Sequence, residues 1–189
     1  GKGGLLVQSI EGFADYQRTD AWTWEHQALL RSRAVAGGAD LRNRYESLRV
    51  ELLRTAVRRQ TLREDVRSMR ERMRSELSKS KAGEFDLKQD AGGITDVEFL
   101  AQYWALLWST RYAELVTFSD NIRQLESLAS ICLVPQETVD VLTSAYRAYR
   151  QRLHHLSLEG GENVAPAAGF ESTRAAVTVI WRETMERSL

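Results

Sequence analysis

Apolar residues recur every three to four positions along most of this chain, a spacing that predicts helices almost from end to end. Leu5, Val7 and Ser9 permit a short strand at the start, and a first helix is expected from Ser9 to Gln17. Asp20 is placed to cap a second, which carries Trp22, His26, Leu29 and Leu30 on one face and ends at Gly37-Gly38. A third runs from Asp40 to Ala56 with Leu41, Tyr45, Leu48 and Leu52 in one stripe. Thr61-x-x-Glu64 reads as a capping box for a fourth, whose inward stripe is Leu62, Val66, Met69, Met73 and Leu77. Phe85 and Leu87 alternate with Asp86 and Lys88, which suits a short extended segment.

Thr95-x-x-Glu98 reads as a second capping box, opening a fifth helix with Val97, Leu100, Ala101, Trp104, Leu107 and Trp108 inward. Ser119 or Asp120 starts a sixth through Leu125, Leu128 and Cys132, and Pro135 a seventh through Val139, Tyr146, Tyr149 and Leu156. The stretch "EGGENVAPAAG" reads as a loop, followed by a last helix with Val177, Ile180 and Trp181. The expected fold class is all-α, an antiparallel helical bundle with short connections. No internal repeat appears.

Composition narrows the function classes. At 189 residues, with 43% hydrophobic and 28% charged residues, the chain can bury one substantial core. Its formal net charge is zero, and its basic segment lacks interleaved aromatics, so no nucleic acid is expected as a partner. No apolar run is long enough to span a membrane. The single cysteine, Cys132, excludes an internal disulfide, fits a reducing compartment, and is expected in the core on the Leu125-Leu128-Ala129 stripe. The opening "GKGGLLVQSIEG" lacks a Met and enters an apolar run at once, as expected of a piece of a longer protein.

Three constellations could carry chemistry. Arg63, Arg67, Arg70 and Arg74 repeat at helical spacing, either as a solvated charged face or as a ridge toward an anionic partner. His154-His155 tempts a metal reading, but adjacent residues point about 100° apart on a helix and chelation favours four-residue spacing. One of the two is expected to bond within the bundle and the other to meet solvent. The third is "DLKQDAGGITDVEFLAQ". Gly92-Gly93 lets the backbone turn sharply and approach something closely, and the helix start after it is a ready anion site. Lys88 could supplement that positive charge, while Asp96 and Glu98 could hold a metal or simply cap. The order of a P-loop is absent.

The combination is more specific than any part. "AWTWEHQALLRSR", "VRSMRERM", "FDLKQDAGGITDVEFLAQY", "FSDNIRQLESLA" and "LHHLSL" occur in that order. Together they resemble the C-terminal region of the glutamine synthetase adenylyltransferase/adenylyl-removing enzyme family over nearly the whole chain. A related Lys-Gly-Gly segment occurs in uridylyltransferases acting on the PII signal protein.

The resemblance implies a parent enzyme, a cytoplasmic nucleotidyltransferase that uses ATP and Mg²⁺ to adenylylate glutamine synthetase and also removes the AMP, regulating nitrogen assimilation. Residues 1–36 would be the tail of its nucleotidyltransferase domain, strand-like at the start, with a linking helix. Residues 37–189 would be the helical bundle. No Gly-Ser followed by an Asp-x-Asp pair occurs here, so the resemblance puts the metal-binding carboxylates upstream, implying no catalytic or metal-binding residue in this chain and no activity in isolation. Lys88, Gly92, Gly93, Asp96, Glu98, Glu25, Arg31 and Arg33 would wall the nucleotide cleft. The alternative is a regulatory module that docks PII signal protein or glutamine synthetase through Arg63, Arg67, Arg70 and Arg74 without touching nucleotide.

Overall fold

The structure, a computed structural model, describes residues 7–186. Leu5 of the expected first strand lies outside them, and Val7 to Ser9 form no strand. Ser9 caps α1 (Ile10–Thr19), its Oγ accepting from the Gly12 amide at 3.0 Å. Asp20 closes α1 rather than opening α2 (Thr23–Leu30). That second start belongs to Glu25, whose carboxylate accepts from the Trp22 amide at 2.9 Å and the Tyr16 hydroxyl at 2.6 Å.

α2 stops at Leu30, well before the glycine pair expected to end it. The reason lies on α3 (Ala39–Thr55), where the buried Arg49 guanidinium donates to the carbonyls of Leu29 and Leu30. The Ser32 amide and hydroxyl also donate to Leu29 O, and a cation at these last carbonyls favours the negative helix end. A third bond reaches Val116 O at 2.9 Å and ties both helices to the 3-10 turn at Ala113–Val116. α2 is thus part of the same core, with Leu29 and Leu30 buried.

In α4 (Leu62–Leu77) the inward line is Leu62, Val66 and Arg70, a strict four-residue spacing. Met69 and Met73 sit at its edge and Leu77 is exposed, so the expected methionine stripe is only a flank. The Thr61-Glu64 box does not form, because the Thr61 hydroxyl donates to Asp65 at 2.9 Å and Glu64 pairs with Arg67 at 2.7 Å. Nor does the Thr95-Glu98 box, since α5 (Ile94–Trp108) takes Gly93 as its cap and has already begun at Ile94.

α5 is the hub. It is buried on almost every side, packing against α2, α4, α6 (Asn121–Ser130), α7 (Gln136–Leu158) and α8 (Glu171–Met185). A helix apolar all round belongs inside a protein, and Val97, Leu100, Ala101, Ala105 and Leu106 are fully enclosed. Each such leucine is worth about 1.5–3 kcal/mol of burial. Asp120 caps α6 as expected, accepting from the Arg123 amide at 3.0 Å. Cys132 is exposed rather than in the core, because α6 ends at Ser130 and the chain turns through Cys132 at φ 57°.

The "EGGENVAPAAG" stretch is more than a loop. It supplies β2 (Val164–Pro166), antiparallel to β1 (Glu84–Asp86), with Phe85 opposite Ala165. Phe85 is buried against Tyr149 and Phe170, with ring centroids 5.7 and 5.9 Å away. This anchors the segment that leads into α5. No helix among the described residues is long and apolar enough to cross a membrane.

Candidate active-site cleft

The turn from Asp86 to Gly93 is built by its own carboxylates. Asp86 accepts from the amides of Lys88 (2.9 Å) and Gln89 (3.0 Å), and Asp90 accepts from the amide of Asp86 at 3.0 Å. Ser78 and Ser80 donate to the other Asp90 oxygen at 2.7 and 3.0 Å. Burial pushes the pKa of Asp90 upward, but these hydrogen bonds outweigh it and hold the carboxyl below the usual aspartate range.

The turn's carbonyls point inward, and each finds a donor. Arg70 donates to Gln89 O at 2.9 Å and lies 3.4 Å from the carbonyls of Lys88 and Asp90. Arg174 takes Ala91 O at 2.9 Å, and the Tyr149 hydroxyl takes Gly92 O at 2.9 Å. Arg70 is itself fully buried and pairs with buried Asp96 at 2.6 Å. Desolvation lowers the Arg70 pKa and the Asp96 carboxylate opposes that shift, leaving a charged pair inside the core. Asp96 also accepts from the Gly92 amide at 2.6 Å and lies 3.4 Å from Arg74.

These bonds redistribute the expected site. Gly92 has φ +77°, and a Cβ there would overlap the backbone oxygen of Arg174 and lie 2.6 Å from the Thr178 hydroxyl. Gly93 has an ordinary negative φ, but its Cβ would meet Leu87 O at 2.8 Å. What the glycine pair approaches closely is therefore α8 and its own turn. The amides of Gly92, Gly93, Ile94 and Asp96 are taken by Asp96, Asp90 O, Leu87 O and Gly93 O. The start of α5 is thus not the ready anion site that its sequence suggests. Any positive charge offered to a ligand must come from side chains.

Three expected side chains do meet. Arg31, Lys88 and Glu98 line one open cleft of about 460 Å³ beside the first turn of α5. Arg31 and Glu98 pair at 3.3 Å, and Glu98 also lies 3.2 Å from Asn121 Nδ2 and 3.4 Å from the Tyr146 hydroxyl. Glu25 and Arg33 fall elsewhere. Glu25 caps α2, and Arg33 lines a separate groove with Phe13, Leu41 and Tyr45.

The arginine row also divides. Arg70 faces the core and Arg74 reaches toward Asp96, while Arg67 pairs with Glu64 and Arg63 donates to the Tyr103 hydroxyl at 3.3 Å. A continuous docking ridge of four is not present, because the inward line of α4 passes through Arg70. His154 and His155 are both exposed, with ring centroids 6.4 Å apart. Among the described residues, no group of three or more His, Cys, Asp or Glu side chains converges on one point.

Sequence reasoning missed the part of the cleft that α7 lines with Tyr146, Arg150 and His154. Their four-residue spacing puts all three on one helix face and was the available signal.

Residues 1–48 match the family model of glutamate-ammonia ligase adenylyltransferase, and residues 60–178 match that of GlnD PII-uridylyltransferase. The bifunctional glutamine synthetase adenylyltransferase/adenylyl-removing enzyme of Thioalkalivibrio sulfidiphilus (strain HL-EbGR7) is 44% identical over 186 residues, 98% of this chain. The chain spans 19% of that relative's length. With nearly its whole length accounted for by these matches, the chain belongs to the nucleotidyltransferase family of the bifunctional glutamine synthetase adenylyltransferase/adenylyl-removing enzymes.

Proposed function

We propose that this chain is the helical part of a cytoplasmic enzyme that transfers AMP from ATP to glutamine synthetase and removes it again, in response to PII signal protein. Residues 1–36 are read as the link to the nucleotidyltransferase domain and residues 37–189 as the bundle. The observation that carries the reading is the convergence of Arg31 and Lys88 with Glu98 on one open cleft. Transfer of AMP moves negative charge onto the departing pyrophosphate, and fixed cations favour that charge without reorganising. Lys88 supplies a mobile point charge and Arg31 a planar donor held by Glu98. Mg²⁺, which would be held by carboxylates elsewhere in the parent enzyme, would supply further positive charge to the phosphates. The inner residues Gly92, Gly93 and Asp96 contribute by fixing where Lys88 leaves the turn.

The test is Lys88→Ala in the full-length enzyme. Lys88 is exposed, so its melting transition should be unchanged while adenylylation falls by about tenfold or more, equivalent to about 1.4 kcal/mol of transition-state stabilisation. Equal turnover by wild type and variant would remove the cleft from the reaction. Magnesium-dependent AMP transfer by the isolated 189-residue chain would overturn the placement of the metal site outside it.

A further inference from the structure

The α7 wall of the cleft belongs to no part of the sequence-derived site. α7 adds Tyr146, Arg150 and His154 to the cleft that Arg31 and Lys88 line. Three permanent cations thus share one cleft with a single carboxylate, Glu98. That carboxylate is occupied, with Arg31 at 3.3 Å and the Asn121 and Tyr146 donors at 3.2 and 3.4 Å. Lys88 and Arg150 have no ion pair among the described residues, and Arg150 lies over the Tyr146 ring at 5.8 Å. Two cations from different elements of the fold, the turn before α5 and α7, line one cleft with no carboxylate of their own, which suits a ligand that carries several negative charges along its length. Little in the cleft suits a purine. Its apolar lining is Ile94 and Leu153, its phenol ring, Tyr146, is buried with the Arg150 guanidinium beside it, and the only other ring is the imidazole of His154.

We propose that this cleft binds the polyphosphate portion of a nucleotide, or free pyrophosphate, and that Arg150 and His154 of α7 are binding residues for it together with Lys88. The proposal rests on the reading of the chain as part of an adenylyltransferase with Lys88 and Arg31 at the departing pyrophosphate, and deepens it by adding the α7 residues Arg150 and His154 to that end of the substrate. The Arg31-Glu98 pair sets the inner end of the cleft, and Lys88 and Arg150 hold the charged chain within it.

The test is calorimetric titration of the 189-residue chain with inorganic tripolyphosphate, and separately with adenosine, at physiological salt. Wild type should bind tripolyphosphate saturably and adenosine not at all. Arg150→Ala and Lys88→Ala should each weaken tripolyphosphate binding by roughly tenfold, as loss of a charged hydrogen-bond donor predicts. Arg72→Ala, an exposed arginine in the separate groove beside Trp22 and Trp24, should leave it unchanged. His154→Ala should weaken it less than Arg150→Ala, since an imidazole offers fewer donors than the five-donor guanidinium fork. Arg150 and Lys88 are exposed, so matching melting transitions will show that the variants remain folded. Equal affinity for wild type and Arg150→Ala, an equal loss in Arg72→Ala, or adenosine binding as tightly as tripolyphosphate would each overturn the proposal. If full-length Lys88→Ala loses turnover while Arg150→Ala binds tripolyphosphate normally, AMP transfer stands and only the α7 wall falls. If tripolyphosphate binds as described while full-length Lys88→Ala turns over normally, the cleft binds polyphosphate but serves another reaction.

Discussion

The turn between β1 and α5 has an inner and an outer side, and the same chemical pair appears on both. Inside, Arg70 meets Asp96 at 2.6 Å with both side chains essentially inaccessible to water. Outside, Arg31 meets Glu98 at 3.3 Å, with 45% and 19% of the side chains exposed. The difference in burial decides what each pair can do. A buried pair has given up its hydration and is held to one geometry by its remaining hydrogen bonds. It fixes a backbone. An exposed pair contributes little to stability, and its cation stays within reach of a ligand. Arg70 and Asp96 shape the turn from below so that Lys88 stands at the rim of a cleft above it.

Removing one member of the inner pair is the strongest way to break this contrast. Asp96→Ala strands a buried guanidinium and frees the Gly92 amide, so it should destabilise the chain by about 3–5 kcal/mol. Urea unfolding measures this directly. Replacing both partners with apolar residues of similar size, Arg70→Met with Asp96→Leu, should recover a substantial part of that loss. A recovered fold with a disordered turn would show that the pair specifies geometry more than it stabilises the chain.

Gly92→Ala should act next most strongly. It places a side chain at φ +77° and against a backbone oxygen of α8, that of Arg174, an atom that cannot rotate away. The left-handed conformation alone costs on the order of 1–3 kcal/mol for a non-glycine residue. The loss should appear as a lowered melting transition in the 189-residue chain itself, with no ligand present. A normal transition would mean that the glycine is spared for a ligand outside the protein.

Histidines offer the same contrast between buried and exposed chemistry through pH. His26 is buried, with one ring nitrogen 3.0 Å from Gln17 O and Nδ1 without a partner. Burial holds its pKa below the ordinary 6.5, despite the opposing pull of that hydrogen bond. The unfolded chain therefore takes up the proton first. Stability from this group is fully present above pH 6.5 and is lost as pH falls through the lowered folded value, by at most about 1.4 kcal/mol per pH unit. The urea midpoint should fall between pH 7 and pH 5 in wild type, and His26→Gln should flatten that slope.

Much of the fold was legible because helical periodicity and local capping are properties of neighbouring residues. The first helix begins beside Ser9, Asp120 caps α6, and β1 overlaps the expected extended segment at Phe85 and Asp86 but ends before Leu87. The failures share a cause: another partner took the group. Glu64 went to Arg67, and Glu98 went to Arg31 after α5 had already begun at Ile94 on its Gly93 cap, so neither capping box formed. Arg49 ended α2 from another helix, and Asp96 drew Arg70 out of the apparent surface row. The candidate site was half legible for the same reason. Lys88, Arg31 and Glu98 could be proposed from the motifs, whereas the α7 wall needed the packing of α5 against α7 to bring Arg150 to the same cleft as Lys88.

The smallest expected effect sharpens the comparison most. A double-mutant cycle of Arg31→Ala and Glu98→Gln isolates the outer pair, because the amide introduced by Glu98→Gln keeps an oxygen for Asn121 and Tyr146 while losing the charge. Arg31 is nearly half exposed, so water screens the attraction and holding its long side chain costs entropy. The coupling should fall in the range of about 0.2–1 kcal/mol measured for exposed pairs, and it should shrink as salt is raised. The corresponding cycle on Arg70 and Asp96 should give a much larger value with little salt dependence, since no solvent reaches that pair. An outer coupling of the same size as the inner one would mean that Arg31 and Glu98 hold the fold, and the cleft would lose its claim to side chains kept available for a ligand.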